Sequence, residues 1–516
     1  MAAQPPDDIA ALARGGRTNF LGFLLRLVAR LPFLFIAGRY YGADELGRFA
    51  FATIVVEFAA QLATMGLKRG LAHQLSTSER PHACIVFDGL LAALLASAVA
   101  TAVLLVFPQA MFPKGEISGV EYLLPLVIFG IAGADVALAA LAYRRDIAAT
   151  VQVRALVEPW TISIAAGILF LFTPAEGLFI AYIVSIAAGL AMAMWRLFRS
   201  YGAPRDWKPH PVELLTVARR NVPLAAADAI EWGSRRLDIA ILGLFVREEI
   251  IGIYYVAQNV ASLPQKLKTS FDPILAPVIT QKLAEGDRKA VARQVRQAGF
   301  WIIAAQAAIA LALGIPGEAV MGLVGPDFVG GNGALAFLLA AEVVAATAVV
   351  SEGALVYVAP HRNLLISILM IAVQALLTVA IILGVERLPL RPESVQGFQA
   401  AGTALALMLA LGLSSILKAR LLGRLLDAPV QGWRWPLVWA AAAASAVGFA
   451  AVQLPEWLEL SLGMPLILVT FGLVVWYRGF TEEDRVLFRL EGDEEPTLPP
   501  PGTGRPTASG GSGASP

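Results

Sequence analysis

Apolar runs of about twenty residues succeed one another along this chain, near 17–38, 47–67, 83–107, 119–142, 152–173, 176–198, 216–245, 249–272, 297–316, 334–358, 363–385, 397–418, 435–454 and 458–477. A bilayer core takes about 20 apolar residues per helix. Inside hydrocarbon every backbone N–H and C=O must be satisfied within the protein, and a helix does this locally. The runs therefore predict an all-α polytopic membrane protein of fourteen transmembrane helices. Composition agrees, with 57% hydrophobic and 15% charged residues and a mean hydropathy of +0.68. A net charge of +1 gives no footprint for nucleic acid. A lone Cys84 excludes an internal disulfide, and no Cys/His set has metal-ligand spacing. Asp7, Asp8 and Arg14 precede the first run without a cleavage pattern, so that run is expected to be retained as a helix.

Charge between the runs sets the topology. Lys and Arg collect on the cytoplasmic side of membrane proteins. With both termini cytoplasmic, six of the 40 Lys and Arg residues (Arg39, Arg48, Lys114, Arg247, Arg387, Arg391) fall on the opposite side. Four more (Arg26, Arg30, Arg235, Arg236) fall inside spans, and the other thirty, among them Lys68, Arg69, Arg144, Arg145, Arg219 and Arg220, are cytoplasmic. Gln281–Gln297 reads either as an amphipathic helix on that leaflet or as a solvated elbow. From Glu491 onward the Pro, Gly, Ser and Thr content predicts disorder.

Two polar stripes interrupt the apolar background. Asp228, Glu231, Arg235 and Asp238 follow one another at i, i+3, i+7 and i+10, an arc of about 80° on a continuous helix. Asn19, Arg26 and Arg30 cover about 40° of the first run. An ionised group at mid-bilayer costs about 2.5–3.5 kcal/mol even on lenient scales, so such groups face a protein interior or a wet cavity. The stripes point to transport of something polar. Arg26, Arg30 and Arg235 are the candidate substrate-binding cations, because a guanidinium stays protonated and donates in pairs. Arg236 points about 80–100° away from Arg235. Thr53, Glu57 and Gln61, with Thr64, share one side of the second run. These, with Asn19, Asp228, Glu231 and Asp238, are candidates for the cavity wall or for carrying a coupling H+ or Na+. Asp135, Glu158, Glu342 and Glu352 are further intramembrane acids, read singly as packing or near-interface residues, and Pro159 and Pro223 can bend their helices.

A shift of 205 residues lays Arg30 on Arg235, Gly38 on Gly243, Gly47 on Gly252, Ala52 on Ala257 and Leu62 on Leu267. Six spans separate the copies, so the repeat is parallel, with a site expected between its halves. The stretch Tyr41-Gly42-Ala43-Asp44-Glu45-Leu46-Gly47-Arg48-Phe49-Ala50 resembles the turn after the first helix of bacterial polysaccharide flippases. Arg236-Leu237-Asp238 through Gly252-Ile253-Tyr254-Tyr255-Val256-Ala257, then Pro264 and Phe271-Asp272-Pro273-Ile274-Leu275-Ala276-Pro277, are similar to the matching element of their second lobe. These belong to the polysaccharide-exporter branch of the multidrug/oligosaccharidyl-lipid/polysaccharide (MOP) superfamily, related to lipid II flippases and MATE transporters. The resemblance covers roughly residues 15–420.

What the resemblance implies is two pseudo-symmetric six-helix lobes, in a MOP/MATE-like fold, that rock between inward-open and outward-open states. The implied cargo is an undecaprenyl-diphosphate-linked oligosaccharide for lipopolysaccharide O-antigen or exopolysaccharide. The expected organisation is an N-terminal tail (1–16), an N-lobe (17–198), a linker (199–215), a C-lobe (216–420), an extra helix pair (421–478) and a C-terminal tail (479–516). The extra pair resembles that of lipid II flippases, where it helps form a groove for the polyprenyl tail; a peripheral packing role is the alternative. The expected setting is the bacterial inner membrane, as a monomer among membrane lipids, with a polysaccharide polymerase or glycosyltransferases as possible partners. Rival readings are a lipid II flippase, a cation-coupled drug antiporter and a non-transport scaffold for glycan synthesis. No nucleophile–base pair or phosphate-cradling loop suggests an enzyme, and no cofactor is expected.

Overall fold

The computed structural model describes residues 31–481, apart from 116, 118, 205–206, 209–210, 270–278, 280–281 and 284. The side chains of 211–218, Ala227, Glu231, Ser234, 266–269 and Val349 are likewise outside the description. Asn19, Arg26 and Arg30 therefore lie outside the described residues, as does the side chain of Glu231.

The described chain is helical, without a strand. The N-lobe runs α1 (Gly42–Ala63), α2 (Leu67–Thr77), α3 (His82–Val106), α4 (Gly119–Tyr143), α5 (Ile147–Phe170) and α6 (Gly177–Tyr201). Gly66, at φ +67°, makes the turn between α1 and α2 that a side chain would strain. Asp146 caps α5 by accepting from the Ala149 amide at 3.2 Å. The C-lobe runs α7 (Pro211–Ser234), α8 (Leu237–Phe245), α9 (Glu248–Thr269), α10 (Arg288–Gly314), α11 (Gly317–Val324), α12 (Asn332–Val358), α13 (Pro360–Val385) and α14 (Pro392–Leu426). Asp287 caps α10 by accepting from the Ala290 amide at 2.9 Å. Pro360 and Pro392 open α13 and α14, where the missing N–H costs nothing. The extra pair is α15 (Trp435–Ala451) and α16 (Glu456–Gly479).

Among the described residues ten helices are long and apolar enough to cross a membrane. Helices α7 and α9 are too polar to be among them, α8 spans nine residues and α15 seventeen. The expected run 216–245 is not one helix. It breaks after Ser234 into a turn at Arg235 and Arg236 before α8 begins. The stretch 281–297 is corrected too: from Arg288 it continues directly into the span as α10, with Val291, Ala292, Val295 and Ala298 buried.

Burial shows how the lobes meet. One hydrophobic cluster runs through the N-lobe and on into Ile239, Tyr254, Met321, Phe328 and Leu335 of the C-lobe. A second joins the remainder of the C-lobe to the extra pair, through Phe300, Val350, Leu422, Leu437 and Phe471. Leu365, Leu376, Phe449 and Leu466 point outward, an exterior suited to lipid rather than water.

The lobes are pressed together at the end bearing Arg39, Arg48, Lys114 and Arg247. There α1 crosses α9 at Gly47 and Gly252, the positions paired by the 205-residue repeat. A Cβ on Gly47 would lie 1.7 Å from the Glu248 carbonyl oxygen, and one on Gly252 2.0 Å from that of Ala43. At the opposite, basic end, α7 is clamped against α2: Arg69 meets Asp228 at 3.0 Å and Arg220 meets the His73 ring at 2.7 Å.

Candidate functional site

Two cavities lie inside this frame, and Arg236 and Asn259 line both. The smaller, about 390 Å³, opens among α1, α4, α5 and α6. Its wall carries Thr53, Glu57 and Gln61 at i, i+4 and i+8 of α1, with Lys68 below them. Thr53 turns its hydroxyl back to the Phe49 and Ala50 carbonyls at 2.9 and 3.0 Å. Tyr182 donates its hydroxyl to Glu57 at 3.2 Å, and Lys68 donates to Gln61 at 3.1 Å.

Arg154, inside the 152–173 run and passed over in the sequence, also lines this cavity. It lies inside the bundle, bonded to Glu158 at 2.6 Å and to Asp135, while Lys68 meets Asp135 at 2.7 Å. Asp135 and Glu158, which looked like isolated acids, are thus two arms of one network. The i, i+4 spacing of Arg154 and Glu158 was the available signal, while the third member comes from another helix.

The larger cavity, about 720 Å³, lies between the α7–α8 turn and α10, α12, α13 and α14. That volume is typical of a site for a drug-sized ligand. Arg69, Arg235 and Arg236 line one side, and Arg236 donates to Gln258 at 2.9 Å. The far side carries Gln306, Glu342, Glu352, Asn363 and Lys418. Lys418, nearly buried, donates to Glu352 at 3.0 Å and to Ser367 at 3.1 Å.

The turn at 235–236 redistributes the stripe expected on one face. Arg235 lines the larger cavity only, and Arg236, expected to point away, lines both. Asp228 lines neither; it serves Arg69 of the N-lobe. Asp238 is fully buried behind the wall, accepting from Tyr254 at 2.7 Å and from Gln258 at 3.0 Å. The 80° arc required an unbroken helix, and the break turns the two halves to different partners. Gln306, Asn363 and Lys418 went unremarked in the sequence. On α13, Asn363, Ser367, Gln374 and Thr378 fall within about 80°, so that stripe was legible by the same arithmetic.

At the closed end Arg48 forks onto Glu121 at 2.6 and 2.9 Å and reaches Glu248 of the C-lobe at 3.3 Å. Arg39 donates to the Leu323 carbonyl at 3.1 Å, and Lys114 to that of Val246. Burial pushes the Lys114 ammonium below its ordinary value, with the Glu248 charge opposing. Among the described residues no group of three or more His, Cys, Asp or Glu side chains is arranged to hold a metal ion.

Two helical lobes packed at one end around charged interior cavities define a multi-pass, all-helical membrane fold. Solved structures share this fold. The lipid II flippase MurJ, in an inward closed conformation, is 13% identical with a TM-score of 0.66, over 89% of this chain and 99% of that one. An inward-facing multidrug resistance MATE transporter is 15% identical with a TM-score of 0.60, over 83% and 97%. A MOP superfamily transporter from Pyrococcus furiosus is 13% identical with a TM-score of 0.53, over 82% and 96%. The sequence itself matches the polysaccharide biosynthesis protein family over residues 37–310, and the chain belongs to that family. No curated protein sequence matches it significantly.

Proposed function

We propose that this protein is a flippase that carries an undecaprenyl-diphosphate-linked oligosaccharide across the bacterial inner membrane by alternating access, for O-antigen or exopolysaccharide synthesis. The observation that carries the reading is the arginine-lined side of the larger cavity. Arg69, Arg235 and Arg236 converge there from both lobes, and paired guanidinium donors suit a diphosphate. The larger cavity is also the more cationic. It sets Arg69, Arg235, Arg236 and Lys418 against Glu342 and Glu352, whereas the smaller sets Glu57, Asp135 and Glu158 against Lys68, Arg154 and Arg236. An anionic head therefore belongs in the larger cavity, and a cationic drug does not. Arg26 and Arg30 would add further cations from the first helix.

The basic end, holding Lys68, Arg69, Arg144, Arg219 and Arg220, faces the cytoplasm in this reading, with both termini on that side. H+ or Na+ is the candidate coupling ion, a monomer suffices, and a polymerase or glycosyltransferases would supply or consume the cargo. The second reading is a lipid II flippase, favoured by the extra pair α15–α16 packed on α10. Lipid analysis of depleted cells tests both. Accumulation of undecaprenyl-diphosphate oligosaccharide with loss of surface glycan supports the first. Accumulation of lipid II with lysis supports the second. Unchanged lipids refute both and restore the antiporter and the scaffold.

A further inference from the structure

The wall of the smaller cavity is balanced in sign. It sets Glu57, Asp135 and Glu158 against Lys68, Arg154 and Arg236 around about 390 Å³, and so favours neither an anion nor a cation. Its polar groups reach the open space: the Arg154 side chain is 29% exposed and that of Lys68 34%, while Glu57 and Gln61 are half-buried. They also keep hydrogen-bonding capacity. Among the described residues Arg154 gives one N–H to Glu158 and one to Asp135, and a guanidinium carries further donors. Glu57 accepts from Tyr182, and a carboxylate has room for several more bonds. Donors and acceptors so intermixed suit a ligand whose polar groups both donate and accept, which a hydroxyl does and a phosphate oxygen does not.

Aromatic rings complete the wall. Phe49, Tyr182, Trp232 and Tyr255 line it beside those charges, and Trp232, half-buried, is backed by Phe58 with ring centroids 5.6 Å apart. A coupling ion needs neither rings nor this volume, which lies in the range of small-ligand sites. A pyranose uses both, because its rim carries hydroxyls and its faces are C–H. Arg236 and Asn259 also line the larger cavity, so the two spaces are neighbours.

We propose that the smaller cavity takes the sugar next to the diphosphate of a glycosyl-diphosphate lipid, with Trp232 under the ring and Glu57, Gln61 and Arg154 on its hydroxyls, while Arg235 and Arg236 hold the diphosphate in the larger one. This assignment rests on the flippase reading and gives its cargo an orientation, glycan toward the N-lobe and charge at the turn between α7 and α8.

The test uses full-length protein in lipid nanodiscs and two probes, undecaprenyl diphosphate and its N-acetylglucosaminyl derivative. Wild-type protein should bind the glycosylated lipid about ten-fold more tightly than the bare one. Trp232→Leu combined with Gln61→Leu should bring that preference to within about two-fold. Glu57→Gln, which can still accept from Tyr182, should cut it about three-fold, and it decides the matter where the combined variant binds neither probe. Arg235→Ala combined with Arg236→Ala should weaken both probes alike. Equal binding of the two probes by wild type, or a preference that survives in these cavity variants, overturns the sugar assignment alone. A surviving preference with a lost dependence of binding on Na+ or pH assigns the cavity to the coupling ion instead. Failure of wild type to bind either lipid overturns the flippase reading with it.

Discussion

Replacing Gly47 with Ala probes the closed end of the molecule. The added Cβ would start 1.7 Å from the Glu248 carbonyl oxygen, and relief to 3.0 Å requires α1 and α9 to part by about 1.3 Å. That parting takes the 3.3 Å contact between Arg48 and Glu248 beyond ion-pair range. Overpacking of this kind costs about 1–3 kcal/mol. Ala returns about 0.5–1 kcal/mol through its better helix propensity, so the clash wins. The middles of the two ranges leave a net of about 1.3 kcal/mol, which moves the ratio of open to closed forms by about nine-fold. Val324, buried against Gly38 at this end, is the reporter. In a background with Cys84→Ala, Val324→Cys should resist a membrane-impermeant maleimide and become reactive when Gly47→Ala is added. Gly252→Ala, its repeat partner, should act alike. Protection unchanged in both variants, with export at the wild-type rate, would refute the close crossing as the determinant of closure.

Arg154→Ala leaves Asp135 and Glu158 facing each other across the smaller cavity with Lys68 as the remaining cation, and a buried pair broken on one side costs about 3–5 kcal/mol. The expected result is a lower melting temperature in detergent, with Arg154→Lys recovering only part because a single ammonium cannot serve two carboxylates as a fork does. Arg236→Ala, lining both cavities, should lower export at least about ten-fold without changing the amount of protein in the membrane; Arg235→Ala, lining one, should do less. The closed end should also respond to pH. Opening returns Lys114 to water and to its ordinary value of about 10.4, so the open form binds more protons in the interval below that value. The closed form gains as pH rises through the interval and loses as pH falls. Labelling of Val324→Cys should therefore decline toward alkaline pH, and Lys114→Met should abolish the trend.

The legible part of this fold was the part written in local pattern. Among the described residues ten helices of bilayer length stand on the apolar runs, because nothing else satisfies their backbone. The 205-residue repeat was visible at Gly47 and Gly252 because two backbones in contact admit only glycine there. The charged stripe of 228–238 failed as a single face because the chain turns at Arg235 and Arg236, and Gly233 with Ser234 just before the turn was the signal that it could. Arg154 was hidden for a different reason. Its partners Asp135 and Lys68 come from other helices, and no spacing along one helix announces a three-helix junction. Gln306 and Asn363 are neutral, and a scan for charge passes over them although both line the larger cavity.

The two ends of the interlobe contact are built alike in kind and unlike in strength. Each has an Arg of the N-lobe on an acid of the C-lobe, Arg48 on Glu248 and Arg69 on Asp228. Arg48 is well shielded, at 14% exposure against 20% for Glu248, and a second carboxylate, Glu121, fixes its fork. Arg69 is 53% exposed, and an ion pair with so wet a member contributes about 0–1 kcal/mol. Both ends also bring a glycine against backbone of the other lobe, Gly47 on Glu248 at the first and Gly66 on Leu224 and Ala225 at the second. Of the two ion pairs the wetter one, Arg69 with Asp228, is the easier to part. The conformation seen here is sealed around Gly47 and Gly252, and in the flippase reading the exposed Arg69 at the basic end is the cation an incoming anion can reach. An anionic head arriving there would meet Arg69 first, and in drawing that arginine from Asp228 it would loosen the clamp that stands before Arg235 and Arg236.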